Sequence, residues 1–528
     1  MEAYKGKLKA SMIRIFVLLM CFLLSACLVG PNFKEPIKKV ASHWLRDEKS
    51  IKEGRSENAN WWKVFQDPNL IALIYLGYHS NLSLQSTAVH VLQMRAQLAQ
   101  SVGELYPQQQ ALMGNLTYNR IGGSQFQSLL PSSFTTALMG FTASWELDFW
   151  GKYRRAILSN DAIFLASFAA YDHALVTLTS DIATAYISIR TTQQLMRITQ
   201  QNIQVQQTGL DIAKARFSAG QASLLDVEQA QTELSQTEAN MPVLRAKLQQ
   251  QKDTLGLLLG TTPNQVDKVL LKKYGIPRAP LSVAVGIPVE TLAKRPDIYQ
   301  ARMEAIAQSE AIGAVKATLF PSISLSGTFA FAANNINGNK LSSLFNWSNH
   351  TVSAGPGFTW PLLNYGQITN RVREQDAVFQ QALLNYMNLV LQAQKEVQDN
   401  MTRFVESRKT ELILIKASTS AVKATQLALI RYREGESDYT PVLNALRQQL
   451  QVQNLLTQAK GEIPAALVAL YRALGGGWQI RNREDIIPKP IKEQMGKRTD
   501  WGTLLKQENH QPPATEGQQL KQTLVPNW

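Results

Sequence analysis

Cys27 is the residue of this chain best placed for covalent chemistry. It ends the tetrapeptide LSAC, which follows a short apolar run (15–24) and, before that, a basic start. The run is shorter than the roughly 20 residues of a spanning helix, so residues 1–26 are predicted to be a signal peptide. The tetrapeptide predicts that the signal peptide is cleaved before Cys27 and that Cys27 is then acylated. The alternative is an ordinary signal peptide that happens to contain a cysteine.

Motifs for enzyme chemistry are missing from the sequence. It has six histidines but no HExxH, P-loop or GxSxG, and no Cys/His cluster after Cys27. His79 and His90 would share one helix face, yet no further metal ligands accompany them. The net charge of +14 comes from scattered Lys and Arg without a groove-reading motif. The sequence therefore predicts no catalytic residue, metal, cofactor or nucleic-acid partner, and no enzyme.

The elements that follow alternate between helical and strand-like patterns. Asp67-Pro68 predicts a helix start, with that helix running to about Gly103. Apolar and polar residues alternate over 109–149, which predicts two strands long enough to cross a bilayer when tilted. A proline-free run from Lys152 to about Phe217 predicts a helix of ~65 residues, or ~100 Å. A break and a second helix follow it.

The same order of elements recurs in the second half. The glycine after the second strand is Gly151 in one half and Gly366 in the other, 215 residues apart. The motif Arg-aromatic-x-x-Gly ends at Gly220 and again at Gly435, at the same offset. We therefore predict an internal duplication. The predicted divisions are the signal peptide 1–26, an extended segment 27–65, a first repeat 66–260 with strands at about 109–149, a linker 261–287, a second repeat 288–478 with strands at about 322–362, and a polar, irregular tail 479–528.

Four strands of membrane length cannot close a barrel by themselves. Transmembrane barrels start at eight strands, and an open sheet edge cannot face lipid, so other copies of the chain must complete the sheet. No run of 18 uncharged apolar residues follows residue 27, so no helical span is predicted. The alternative is a bundle of long coiled coils with a small sheet. Aromatic residues at the strand-to-helix transitions predict a membrane-interface belt: Trp145, Phe149, Trp150, Trp360 and Tyr365.

The sequence resembles the TolC/OprM-type outer-membrane efflux channels, and more closely their NodT-like lipoprotein branch. The segments WWKVFQDPNL, WELDFWGKYRRA, DIATAYISIR and YRALGGGW carry the resemblance in the expected order. It implies an α+β membrane protein: a trimeric 12-stranded transmembrane β-barrel, with four strands per chain, continuing into a 12-helix periplasmic α-barrel with a mixed equatorial region. It also implies a lipid-anchored passive conduit in the outer membrane, served by a periplasmic adaptor and an inner-membrane pump, often of the RND class.

The resemblance further implies that the two helix breaks form a periplasmic tip. There the channel closes at rest and the adaptor docks, with Gly220, Gln221, Gly435 and Glu436 at the turns. It implies gate residues at Asp226 and Tyr432, with a hydrogen bond between them in the closed state and Arg431 or Arg433 nearby. Asp438 is a further gate candidate, although it lies beside the position at which many relatives carry a carboxylate. The alternative is that Tyr432 and Arg431 simply pack the hairpin. Two other functions stay open at this point: an exit channel for type I protein secretion, and a structural or adhesion lipoprotein.

Overall fold

The computed structural model describes residues 28–37, 40–41, 43–44, 51–53, 59–122, 131–270, 275–286, 288, 292, 294–336, 338–482 and 484–510. Cys27 and the signal peptide lie outside these residues. The elements in chain order are β1 (Ile51–Glu53), α1 (Pro68–Ser80), α2 (Leu82–Gly103), β2 (Gln109–Arg120), β3 (Ser133–Leu147), α3 (Lys152–Ser218), α4 (Leu224–Leu258), α5 (Pro263–Val269), β4 (Val283–Val285), α6 (Pro296–Ala317), β5 (Ser322–Asn334), β6 (His350–Thr359), α7 (Gln367–Arg433), α8 (Thr440–Ala473) and α9 (Lys489–Arg498).

The helix predicted from Asp67 to Gly103 is in fact two helices. Asp67 caps α1 as predicted, since its side chain accepts from the backbone N–H groups of Asn69 and Leu70. The break lies at Asn81, which has an extended backbone and accepts from the N–H of Leu84 at 2.7 Å. An asparagine that caps a new helix competes with continuation of the old one, and the single-helix prediction was wrong for this reason.

A four-stranded antiparallel sheet, in the order β2-β3-β5-β6, lies at one end of the molecule. Its register places Phe141 opposite Phe329, and Phe329 opposite Val352. Leu112 of β2 also pairs with Phe141. Because directly paired residues share a face, one apolar face runs across all four strands. The other face carries mostly small and polar side chains. β1 and β4 form a separate parallel pair.

Two helical hairpins, α3–α4 and α7–α8, account for most of the length of the molecule. α3 and α7 have 67 residues each, or ~100 Å at 1.5 Å per residue. α4 and α8 return from the breaks and run through Pro242 and Pro464. The predicted length of α3 is confirmed, and its counterpart α7 has the same length. Their equal length, like the 22 residues of both α2 and α6, matches the predicted duplication.

Equivalent contacts also relate the two halves. The Asn81 side-chain amide donates to the carbonyl of Leu258, near the end of α4, at 2.9 Å. The Arg295 guanidinium donates to the carbonyl of Ala473, at the end of α8, at 2.7 Å. The last carbonyl groups of a helix have no partner within that helix. In each half, a side chain just before the 22-residue helix thus donates to such a carbonyl at the end of the returning helix.

The largest hydrophobic core of the described residues lies between the sheet and the helix breaks, around the half of α3 that is nearer the sheet. Trp61 and Trp62 are fully buried there, and Trp61 stacks on Tyr471 at 5.6 Å. The tail was predicted to be irregular, and this was wrong for its described part. It forms α9, and its Ile487 and Met495 pack into this core. The sequence does not indicate these contacts, because the apolar residues of the tail are few and widely spaced.

Two helices, α3 and α7, are long and apolar enough to cross a membrane by length and composition. The apolar stretch of α3 is mostly buried within the chain, whereas that of α7 is mostly exposed. The prediction that no helix after residue 27 could span a membrane is therefore not confirmed. It considered only stretches without any charged residue, whereas a stretch with one or two charges can also be apolar enough. Core burial accounts for the apolar composition of α3.

Candidate functional site

The break between α3 and α4 is a glycine-terminated helix end. Gly220 has φ +72°, a conformation that other residues adopt at a cost. The N–H of Gly220 donates to the carbonyl of Phe217 at 2.9 Å, and the N–H of Gln221 donates to that of Arg216 at 2.8 Å. This pair of bonds is the Schellman pattern. A left-handed glycine is therefore what turns the chain here, as the sequence predicts.

The break between α7 and α8 repeats that geometry at the equivalent positions. Gly435 has φ +85°. Its N–H donates to the carbonyl of Tyr432 at 3.2 Å, and the N–H of Glu436 donates to that of Arg431 at 2.9 Å. The two breaks therefore end their helices in one register.

A hydrogen bond joins the two hairpins at this end of the molecule. The Tyr432 hydroxyl donates to Oδ2 of Asp226 at 3.2 Å. Oδ1 of Asp226 accepts from the Ser223 hydroxyl at 2.9 Å, in the first turn of α4, where the helix dipole favours a carboxylate. Burial, and then the charge of Asp226, raise the pKa of Tyr432 to about 12. The phenol therefore remains a hydrogen-bond donor at any physiological pH.

Arg216 completes this contact, although the sequence reading did not choose it. Its guanidinium lies 4.6 Å from the ring centroid of Tyr432 and donates to the Tyr432 carbonyl. It also donates to the carbonyl of Gln221 at 3.2 Å. Arg216 and Arg431 are equivalent in the two repeats, so their positions were visible in the sequence. Which of them faces Tyr432 depends on how the hairpins pack.

The other predicted gate residues lie apart from this bond. Arg431 pairs with Glu436 at 3.6 Å, and Arg433 pairs with Glu434 at 3.1 Å, both on exposed side chains. Each arginine thus pairs within its own turn, and a role of Arg431 or Arg433 beside the Asp226–Tyr432 bond in the closed channel stays a prediction. Asp438 is exposed in the turn before α8.

Behind the bond, a small core packs the hairpins together. Tyr439, almost fully buried, meets the ring of Tyr432 edge-on at 5.2 Å. Two pairs of polar side chains connect the helices further from the breaks. Nε of Arg447 donates to the buried carboxylate of Glu233 at 2.7 Å, and the Asn202 amide donates to Gln453 at 2.7 Å. The core residues are Leu210, Ala213, Ala230, Leu234, Tyr432, Tyr439, Val442, Leu443 and Leu446.

At the opposite end, tryptophans fasten the sheet to the helices. The indole N–H of Trp145 donates to the carbonyl of Leu105 at 3.1 Å, and that of Trp360 donates to Leu319, also at 3.1 Å. Trp150 donates to the carbonyl of Pro321 at 2.8 Å. Each indole thus binds the chain segment that leads into a strand, while Trp360 keeps half of its surface exposed.

The remaining two aromatic residues of the predicted interface belt differ from each other. Phe149 is half-buried, whereas Tyr365 is 97% exposed and has φ +50°, just before Gly366. A phenol projecting from a strained turn gains no packing within the chain. Such exposure is compatible with an external contact at this level of the sheet.

The segment directly after Cys27 is fixed at this junction. The N–H of Val29 donates to the carbonyl of Trp150 at 3.2 Å. Arg155, which is 2% exposed, donates to the carbonyl of Val29 at 3.2 Å and to Asn32 at 3.0 Å. Its Nη1 also pairs with Glu310 of α6 at 2.5 Å. The chain therefore enters the described structure at the point where β3 passes into α3.

In the part of the chain that the structure describes, no group of three or more His, Cys, Asp or Glu side chains is arranged to hold a metal ion. The polar groups brought together near the helix breaks are hydrogen bonds between helices.

Comparisons with known proteins agree with this architecture. The sequence profile of the outer membrane efflux protein family matches residues 73–261 and 287–476, which correspond to the two repeats. Nodulation protein T of Rhizobium leguminosarum bv. trifolii is 26% identical over 461 residues, covering 86% of this chain and 96% of that protein. The solvent efflux pump outer membrane protein SrpC of Pseudomonas putida is 27% identical over 493 residues, covering 90% of this chain and 99% of that protein.

A solved structure shares the whole fold. The outer-membrane channel OprN matches with a TM-score of 0.79 at 28% identity, over 86% of this chain and 100% of that one. The family profile covers both repeats, and the relatives are matched over nearly their full length. These matches and the duplicated hairpins lead to one conclusion: the chain belongs to the outer membrane efflux protein family, in the branch that includes nodulation protein T.

Proposed function

We propose that three copies of this chain form a passive, gated conduit in the outer membrane. The observation that carries the proposal is the four-stranded sheet with one apolar face. Its edge strands β2 and β6 have no partner among the described strands. Pairing β6 of one copy with β2 of the next would close twelve strands in three copies, which removes every open edge from lipid.

The helical part supports the same assembly. α7 carries large apolar side chains that its own chain leaves uncovered: Leu412, Ile413 and Leu427 are each more than 60% exposed. A helix face of this kind needs another surface to bury it. Four long helices from each of three copies would form a 12-helix tunnel in which α7 packs against a neighbouring chain and polar side chains face water.

The helix breaks would form the periplasmic tip of that tunnel. The bond between Asp226 and Tyr432 joins the two hairpins of one chain and would hold the tip closed. The turns at Gly220, Gln221, Gly435 and Glu436 are exposed beyond it. They are therefore accessible to the hairpin of a periplasmic adaptor, which would connect the channel to an inner-membrane pump of the RND class.

The cargo of this conduit would be drugs or other small molecules handed over by the pump. SrpC is named for solvent efflux, and a wide water-filled tunnel imposes little selection of its own. The pump would choose the substrate, and this chain would let it pass.

Reconstitution tests the proposal. The purified protein should have three times the mass of one chain in native mass spectrometry, and it should form ion-conducting pores in planar lipid bilayers. A monomer that leaves bilayers non-conducting at every voltage would refute the conduit.

The N-terminus provides a separate prediction. We expect mass spectrometry of the mature protein to find Cys27 as the first residue, carrying several acyl chains, because more than one chain is needed for a stable anchor. A Cys27→Ser variant should lose this modification. Cleavage at another residue, or an unmodified Cys27, would contradict the lipid anchor and leave the channel proposal untouched.

A further inference from the structure

An aromatic cluster lies at the end of the sheet that is farthest from the helices. The loop between β5 and β6 contains two short 3-10 turns, Leu341–Ser343 and Trp347–Asn349. The ring of Trp347 stacks on His350 at 4.6 Å and lies 6.3 Å from Phe331. Phe345 lies 6.0 Å from Phe331. The loop therefore folds back on β5 instead of extending away from the sheet.

The strand register identifies the face that this loop covers. Phe331 and Phe329 lie two residues apart on β5, so they share a face. Phe329 pairs with Phe141 and with Val352, both of which belong to the apolar face. Trp347, 6.4 Å from Phe329, lies over that face as well. The loop is thus on the apolar side of the sheet and away from the polar side.

The cluster is not a closed core. Phe345 is 64% exposed, Trp347 is 70% exposed, and Tyr118, at the same end of β2 and on the same face, is 66% exposed. Large aromatic groups left open at the end of an apolar sheet face are typical of contact with a bilayer interface, where a ring can be apolar on one side and hydrated on the other.

The charges at this end favour anionic lipid. Neither residues 105–145 nor residues 311–373 contain an Asp or Glu. The cations Arg120 and Lys340 are exposed close to the cluster in sequence. A surface with cations and no carboxylates is complementary to the phosphate groups of a membrane leaflet.

The length of β6 also fits the thickness of a membrane. Its ten residues separate Trp360, at the helix end of the sheet, from the stacked pair of His350 and Trp347. Ten residues span ~33 Å at about 3.3 Å per residue. A strand tilt of about 40° reduces this to ~25 Å, the height of the apolar band of an outer-membrane barrel.

We propose that Phe345 and Trp347 insert into the outer leaflet of the membrane, with the β5–β6 loop docked on lipid that carries anionic phosphate groups. This inference rests on the proposed membrane barrel and adds its outer boundary, with Tyr118 and Phe331 completing the belt. It also keeps the described part of this loop outside the pore mouth, so the loop does not act as a lid.

Spin labels can test the insertion. The sequence has only two cysteines, Cys21 in the predicted signal peptide and Cys27, so a thiol introduced at Trp347→Cys would be the one labelled in the acylated protein. In vesicles of phosphatidylethanolamine and phosphatidylglycerol, we expect its nitroxide to collide with oxygen several-fold more than with a water-soluble nickel chelate. Phe345→Cys serves as a second position in case one substitution impairs folding.

Two matched variants separate this inference from the barrel itself. Phe141→Cys, on the middle of the apolar face, should favour oxygen, and Thr328→Cys, on the opposite face, should favour nickel. If Phe141→Cys favours oxygen while both loop positions favour nickel, the loop inference is wrong and the barrel stands. If Phe141→Cys also favours nickel, the barrel proposal itself fails. Replacing phosphatidylglycerol with phosphatidylcholine should lower the oxygen preference at the loop, and an unchanged preference would overturn the role of anionic lipid.

Discussion

Asp226→Ala should raise the time-averaged conductance of single channels in planar bilayers several-fold. The substitution removes the acceptor of the Tyr432 hydroxyl, and a hydrogen bond to a charged group contributes about 1.5–3 kcal/mol. If the three subunits of the proposed trimer open together, three such bonds are lost at once. A loss of about 1.4 kcal/mol already changes an equilibrium tenfold, so the population should shift strongly towards the open state.

Companion variants make this gate prediction specific to the contacts seen in the structure. Tyr432→Phe and Arg216→Ala should also raise the conductance, because each removes one part of the same contact. Arg431→Ala should have little effect, since its partner Glu436 lies in the same turn. Asp211→Ala, which removes an exposed carboxylate that accepts from Gln207 within α3, is the matched control.

The assignment of Asp226 and Tyr432 fails if both of their variants conduct like the unmodified channel. If Arg431→Ala opens the pore and Arg216→Ala does not, the arginine chosen from the resemblance is the functional one in the assembled trimer, and the packing of the isolated chain is not that of the closed channel.

Arg155→Ala should cause a large loss of stability. Arg155 and Glu310 are both nearly buried and lie 2.5 Å apart. Removing one partner leaves an uncompensated buried carboxylate, which costs about 3–5 kcal/mol. The carbonyls of Val29 and Gly30 lose their donor as well. We expect a clear fall in the midpoint of thermal unfolding of the detergent-solubilised protein.

An exposed ion pair provides the control for this prediction. Arg472 and Asp181 lie 3.0 Å apart with side chains more than 40% exposed, so Arg472→Ala should cost at most about 1 kcal/mol. The double variant Arg155→Leu/Glu310→Leu should recover part of the loss, because no charge remains buried. Equal effects of Arg155→Ala and Arg472→Ala would contradict the importance of the buried pair.

The periodic features of this protein could be predicted from its sequence. Alternation over 109–149 and the proline-free run from Lys152 define strands and long helices through local geometry alone. Gly220 and Gly435 mark the breaks because only glycine adopts their backbone angles cheaply. The repeat at an offset of 215 residues relates the two halves without any knowledge of their packing. These features depend on neighbours in sequence, so a single sequence contains them.

Other features depend on contacts between distant residues. The break at Asn81 exists because its side chain caps one helix and reaches the end of another, 177 residues away. The tail packs through Ile487 and Met495 only because the core offers a surface for them. The outer aromatic cluster needed the register that places Phe345 and Trp347 over β5.

At the predicted gate, some features follow from the sequence and others only from the tertiary structure. The sequence alone determined the duplicated hairpins, the left-handed glycines at their ends and, through its resemblance to a family, the pairing of Asp226 with Tyr432. Only the tertiary structure decided that Arg216, and not Arg431, lies against Tyr432. The two arginines occupy equivalent positions in turns with the same backbone hydrogen bonds, so their local geometry does not distinguish them. The packing of one hairpin against the other breaks that symmetry, because it buries the second turn's tyrosine beneath the first turn's arginine.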